Sequence, residues 1–238
     1  MLSPKVVLLD LDDTLFDHTH SSRSGLTALR EAFEPFARME LEALAKIHSR
    51  NLEAMHAIVL RGEMSVDEAR IARFRAMAAD CGASSLDLAE LATTYRAAYR
   101  RARRAVPGAI DLLGAIRTRA KVGIVTNNVV AEQVQKLADL GMTMLVDVLV
   151  ISEEAGVRKP DAEIFRIALA RSGASPDEAV MLGDSWGSDV LGARGAGIRA
   201  VWLNRARLPC PGPNLCAEIQ SLLPTESVLE ILFGAGAA

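Results

Sequence analysis

Aromatic residues make up only 4% of this 238-residue chain, so a core of ordinary size has to be assembled from Leu, Val, Ile and Ala. Cysteine is scarce too. Cys81, Cys210 and Cys216 match no zinc-binding spacing, and an odd number does not suit a secreted disulfide framework, so free thiols in a reducing compartment are expected. The net charge is only -3, which gives no strong field toward nucleic acid or an anionic membrane. No apolar run is long enough to cross a bilayer. The stretch from Met1 is broken at Asp10, too short and too acidic for a signal peptide. The expectation is a soluble cytoplasmic protein with neither a nucleic-acid polymer nor a membrane as partner.

What the chain does have is a series of short, continuous apolar runs. Lys5–Leu9 ends at Asp10, Val122–Val125 at Thr126, and Ala179–Leu182 at Gly183-Asp184; Val146–Ile151 and Arg199–Leu203 are two more. Continuous rather than alternating hydrophobicity predicts strands buried on both faces, as in a parallel sheet. Helical spacing over Ala109–Arg119, Val129–Leu140 and Ala162–Arg171 separates them, with Gly141 and Gly173 at C-cap positions. Ser175-Pro176-Asp177-Glu178 predicts a short capped turn before the fourth strand. The fold class expected is α/β, a Rossmann-like parallel core.

Residues 17–104 read differently. They are rich in Ala, Leu, Glu, Arg and Met and carry no strand pattern. Ser65-Val66-Asp67-Glu68 has the form of a capping box, Gly82 is placed to end that helix, and a further helix is expected from near Ser85 to about Arg104. An all-helical module is thus predicted between residues 17 and 104, inside a core of residues 1–16 and 105–238. Toward the end, Arg205–Cys216 reads as a loop, Glu226–Phe233 as a last helix, and Gly234–Ala238 as a frayed tail.

The chemistry gathers where the strands end. Asp10, Thr126 and Asp184 follow three predicted strands, and in an open parallel sheet those ends line the ligand crevice. Asp12 lies two residues after Asp10, and Asp189 five after Asp184. Carboxylates packed together repel unless a cation compensates. An oxygen-only set with neither His nor Cys favours Mg²⁺ over zinc. Lys159, in Arg158-Lys159-Pro160-Asp161, supplies a positive charge from a loop. Any one Asp after a strand is as readily a turn residue or helix cap. The ordered combination Asp-x-Asp-x-Thr, apolar run then Thr, Lys-Pro, and Gly-Asp-x4-Asp is much more specific.

With those four motifs, Leu9–Leu15, Val125–Asn128, Lys159–Asp161 and Gly183–Asp189, the chain resembles the phosphatase branch of the haloacid dehalogenase superfamily over nearly its whole length. The helical insert resembles that superfamily's cap, and Ile151–Asn204 is especially similar to its subgroup of nucleotidases and N-acylneuraminate-9-phosphatase-like enzymes. The resemblance implies a phosphatase of small phosphomonoesters, nucleoside 5′-monophosphates or sugar phosphates, that acts as a monomer or homodimer through an aspartyl phosphate. It implies Asp10 as nucleophile, Asp12 as acid and base, and Thr126, Asn127 and Lys159 around the phosphoryl group. It also implies Mg²⁺ held by the Asp10 side chain, the Asp12 carbonyl and Asp184, with Asp189 acting through water or by orienting Lys159. The backbone amides of Leu11 and Asn127 are expected to face phosphate. Dehalogenases of the superfamily need no acid two residues after the nucleophile, so Asp12 points away from that activity. A phosphomutase would use the same two Asp residues and return phosphate to the substrate. A non-enzymatic receiver domain would share the acidic site but be roughly half as long and lack the insert.

Several other residues have plainer readings. His18 and His20 suit hinge or surface roles, and His48 and His56, on a predicted helix, are expected to face solvent. Arg96, Arg100, Arg101, Arg103 and Arg104 suit a helix C-terminus. Asn128 is expected to cap the next helix, and Trp186 to pack beside the site.

Overall fold

The computed structural model describes residues 3–60 and 62–234, although the side chains of His56, Ala57, Leu60, Val66 and Asp67 are outside the described set. The chain divides into two compact units, Met1–Asp17 with Arg104–Ala238, and His18–Arg103. In chain order the first unit contributes β1 (Val6–Leu9), and the second consists of α1 (His18–Ala32), α2 (Glu34–Ala37), α3 (Leu41–Leu60), α4 (Val66–Asp80) and α5 (Leu88–Arg101). The first unit then resumes with α6 (Ala109–Arg117), β2 (Lys121–Thr126), α7 (Val130–Asp139), β3 (Val148–Ile151), α8 (Ser152–Ala155), α9 (Ala162–Ser172), β4 (Ala179–Gly183), α10 (Gly192–Gly195), β5 (Arg199–Leu203), β6 (Ala217–Ile219) and α11 (Thr225–Phe233).

The sheet has six strands in the order β3-β2-β1-β4-β5-β6, all pairs parallel. This is the α/β class expected from the apolar runs. Val6–Leu9 and Val180–Leu182 are fully buried, as strands covered on both faces must be. β1 pairs with β2 on one side and β4 on the other, so the chain direction across the sheet switches between β1 and β4. A crevice opens outside the C-terminal ends at such a point. β6 was not expected. Three residues at the sheet edge, two of them exposed, carry too short an apolar pattern to read as a strand. A π-helical turn, Trp186–Leu191, follows β4 and is likewise invisible to 3.6-residue periodicity.

In the helical unit, Ser65 caps α4 with a full capping box, and Gly82 follows the helix with φ of 66°. α5 begins at Leu88, three residues later than expected, because Asp87 accepts the Ala89 amide and sets the start there. The core of this unit is Leu26, Leu29, Phe36, Leu44, Phe74, Met77 and Leu91. Gly25 sits in the middle of α1 because a Cβ there would lie 2.6 Å from the Tyr95 ring. His48 corrects its expectation: it is buried, and its ring stacks on Tyr95 at 5.0 Å. His56 is on the same helix, its side chain outside the described residues. The predicted fraying of the tail also falls largely outside them, from residue 235 on. Among the described residues no helix is long and apolar enough to cross a membrane.

Candidate active site

β1, β2 and β4 are neighbours, so Asp10, Thr126 and Asp184 come to one edge of the sheet from three chain segments. The turn after β1 is sharp. Asp13 takes a left-handed φ of 59°, which Asp tolerates better than most residues, and the Asp13 amide donates to the Phe16 carbonyl at 2.7 Å. Thr14, fully buried, fixes the next strand end: its hydroxyl donates to Asp184 Oδ1 at 3.3 Å, and the Asp184 amide donates to Thr14 Oγ1 at 3.1 Å.

Lys159 lies at the centre, only 2% exposed. Its Nζ is 2.6 Å from Asp10 Oδ1 and 2.6 Å from Asp189 Oδ1. Asn127 holds the lysine's loop: its Oδ1 accepts the Lys159 amide at 2.8 Å, and its Nδ2 donates to the Lys159 carbonyl at 2.9 Å. The Asn127 side chain is therefore committed to the loop, and its backbone amide is what remains for a ligand. The π turn folds Asp189 back beneath β4, where its Oδ2 accepts the Ser185 amide at 2.9 Å. Gly183 is obligatory here, because a Cβ would collide with the Asp189 carboxylate.

Oxygens of Asp10, Asp184 and Asp189 lie within 4.8 Å of one another. Burial pushes the Asp10 carboxyl up from its ordinary 3.8 to about 7; Lys159 pulls it down, and Asp189 and Asp12 push it up again. Asp184 is raised from 3.8 to about 8 by burial first, then by the charges of Asp10, Asp189 and Asp13. Burial disfavours the Lys159 ammonium, but Asp10 and Asp189 outweigh it and raise its pKa. Three crowded carboxyl groups face one lysine, and the raised Asp10 and Asp184 are the form that crowding takes without a cation: full ionisation would need a further positive charge. The donor set is oxygen alone and fits a hard divalent cation such as Mg²⁺. Both Asp189 oxygens are engaged by Lys159 and Ser185, so Asp10 and Asp184 offer the carboxylate oxygens better placed for an ion.

Asp12 faces a different set of partners. Lys136 Nζ is 2.5 Å from its Oδ1, and Gln133 Nε2 donates to its Oδ2 at 3.0 Å. Gln133 Nε2 also donates to Thr126 Oγ1 at 2.6 Å. Sequence reasoning missed both residues. The signal was present: Gln133, Lys136 and Leu137 form one buried stripe of α7, and two polar residues do not belong in an apolar stripe. Asn128 does not cap α7. That position is Val129; Asn128 Oδ1 accepts the Val129 amide, and its Nδ2 reaches Asp12 Oδ2 at 3.5 Å.

The other residues singled out from the sequence make contacts of their own. Trp186 meets Trp202 edge-on at 5.1 Å, and Trp202 Nε1 donates to the Asp184 carbonyl at 2.8 Å, bracing the loop that carries Asp184. Arg104 pairs with buried Asp17 at 2.7 Å, and Arg103 lies over the Tyr99 ring. Within the helical unit, His18 Nδ1 bonds the Tyr99 hydroxyl at 2.9 Å, while His20 and Arg101 line a groove of about 530 Å³.

The chain is similar to known proteins. A family model of haloacid dehalogenase-like hydrolases matches residues 4–197. The pyrimidine 5′-nucleotidase YjjG of Escherichia coli is 48% identical over 101 residues, a match spanning 42% of this chain and 44% of that protein. The phosphoserine phosphatase of Thermus thermophilus is 34% identical over 86% of this chain and 90% of its own. Among solved structures, the magnesium-bound HAD-hydrolase YfnB of Bacillus subtilis superposes with a TM-score of 0.74 at 27% identity, covering 97% of this chain and 99% of that one.

Proposed function

This chain belongs to the haloacid dehalogenase-like hydrolases, and on that premise we propose that it is a Mg²⁺-dependent phosphatase of small phosphomonoesters. The observation that carries this reading is the meeting of Asp10, Thr126 and Asp184 at three adjacent strand ends, with buried Lys159 on Asp10. The phosphatase named among the relatives at 34% identity supports it.

In this reading Asp10 attacks phosphorus in line, the ester P–O bond breaks, and Asp12 gives a proton to the departing alcohol oxygen. An aspartyl phosphate on Asp10 results. Asp12 then takes a proton from water as that water attacks phosphorus, which releases inorganic phosphate and restores the Asp10 carboxylate. Thr126 donates its hydroxyl to a phosphoryl oxygen. Lys159 places positive charge beside the nucleophile and the transferring group. Asp189 holds Lys159 in place through its 2.6 Å contact. Mg²⁺, held by the Asp10 and Asp184 carboxylates and the Asp12 carbonyl, would screen the repulsion between carboxylate and phosphate. The α/β unit is the catalytic core and the helical unit the cap, and the substrate is a soluble nucleoside 5′-monophosphate or sugar phosphate met in the cytoplasm, by a monomer or homodimer.

The test is release of inorganic phosphate from pyrimidine nucleoside monophosphates, phosphoserine, sugar phosphates and p-nitrophenyl phosphate, with Mg²⁺ or with EDTA. Release is expected only with Mg²⁺, and Asp10→Asn should reduce it by at least about 10³-fold, as loss of a nucleophile does. Undiminished release by Asp10→Asn would remove Asp10 from the nucleophile's role.

A further inference from the structure

α7 buries an ammonium and an amide where an apolar residue would fit. Lys136 is 1% exposed and Gln133 fully buried. Removing a lysine charge from water is costly, and a buried ion pair seldom returns more than a well-packed apolar side chain would. Stability alone therefore does not account for Lys136. Its Nζ meets Asp12 Oδ1 at 2.5 Å and lies 4.9 Å from the centre of the Phe16 ring, which offsets part of the desolvation. The Asp12 side chain remains 24% exposed, so the network runs from a buried helix face to a group that reaches solvent.

Gln133 adds a second link. Its Nε2 donates both to Asp12 Oδ2 and to Thr126 Oγ1. With Asp12 ionised, the amide orientation follows from the partners, because Oε1 turned toward the carboxylate would set lone pair against lone pair; Oε1 is then the buried atom without a partner among the described residues. Thr126 Oγ1 thus accepts from Gln133, and its own proton is directed to another acceptor.

We propose that Lys136 and Gln133 are positioning residues for the reaction. Lys136 fixes the Asp12 carboxyl at the leaving-group oxygen, and Gln133 ties Asp12 to Thr126 so that the proton donor and the phosphoryl-binding hydroxyl keep one spacing. This rests on the acid role given to Asp12 above. A misplacement of about 1 Å in such a group costs on the order of 100-fold in rate.

The experiment compares kcat/KM, which covers the steps up to phosphoryl transfer, for an alkyl phosphate and for p-nitrophenyl phosphate. The alkyl alcohol needs a proton to leave; p-nitrophenolate does not. Full-length Lys136→Met is expected to lose roughly 10- to 100-fold on the alkyl ester and far less on the aryl ester, with KM nearly constant. Lys136→Arg should recover part of the loss. Gln133→Met, which keeps volume without the donor, should lower both substrates through Thr126, and it carries the test if Lys136→Met does not fold. Equal losses on both esters with Lys136→Met, or no loss with Gln133→Met, would overturn the assignment. Asp12→Asn separates the two levels. If it shows the ester bias and Lys136→Met does not, only the positioning role fails; if Asp12→Asn shows no bias, the acid role itself is wrong.

Discussion

The two units bury polar groups in opposite ways. In the α/β unit the buried lysines are matched by carboxylates: Lys159 by Asp10 and Asp189, Lys136 by Asp12. In the helical unit the buried imidazole of His48, 2% exposed, is stacked on Tyr95 and has no hydrogen-bond partner at Nε2 among the described residues. Burial first, then the positive charges of Arg73 and His18, hold its imidazole pKa well below the usual range, so the ring is neutral. The aromatics divide along the same line. Both tryptophans brace the Asp184 loop, whereas both tyrosines stack on each other in the helical unit at 5.9 Å. One unit holds its buried lysines against opposed charges in a fixed frame; the other covers its buried imidazole with a ring face.

Removing a charge should show the contrast most strongly. Lys159→Met leaves two buried carboxyl groups without their cation, and a loss of about 3–5 kcal/mol in urea unfolding without added metal is expected. Adding Asp189→Asn should return part of it, since one of the opposed charges is then gone. A Lys159→Met protein as stable as the parent would mean that the α/β unit does not depend on this balance.

A smaller effect is expected from His48, and it should depend on pH. The unfolded chain takes up a proton at His48 near pH 6.5, and the folded unit does so only at lower pH. The stability contributed by the neutral ring is complete well above pH 6.5 and is lost as pH falls below it, on the order of 1 kcal/mol at pH 5.5. His48→Leu lacks this dependence, so the stability difference between parent and variant should shift by that amount between pH 7.5 and 5.5. A constant difference would show that His48 protonates in place. The smallest expected change is Ser65→Ala, which removes the α4 cap and should cost about 1 kcal/mol in unfolding.

The strands and most helices were legible because each carries its own local pattern. The run Val6–Leu9 reads as a doubly covered strand, and the capping box at Ser65 reads as a helix start, with no knowledge of neighbours. β6 was not legible, since a three-residue edge strand depends on β5 rather than on its own pattern. In the site, Asp10, Thr126, Lys159 and Asp184 were legible from their places after apolar runs or in the Lys-Pro loop. Gln133 and Lys136 stood out only as polar residues at apolar-stripe positions of α7; their partner Asp12, 121 and 124 residues away, was not legible. His48 was misread as exposed for a similar reason: a histidine on a helix carries no mark of which ring will cover it.

By itself, then, the sequence determined five of the six strands, β1 to β5, where acidic residues and a lysine stand in the segments that follow them, and that these donors are oxygens of the kind that suit a hard cation. These depend on periodicity and on residue chemistry, which are local. Only the tertiary structure decided that Asp189 turns back beneath Gly183 onto Lys159, that Asn127 clamps the lysine's loop, and that α7 turns an amide and an ammonium onto Asp12. Those arrangements arise when parallel crossovers bring distant segments to one sheet edge, and the contacts there are set by the register of strand against strand and helix against sheet.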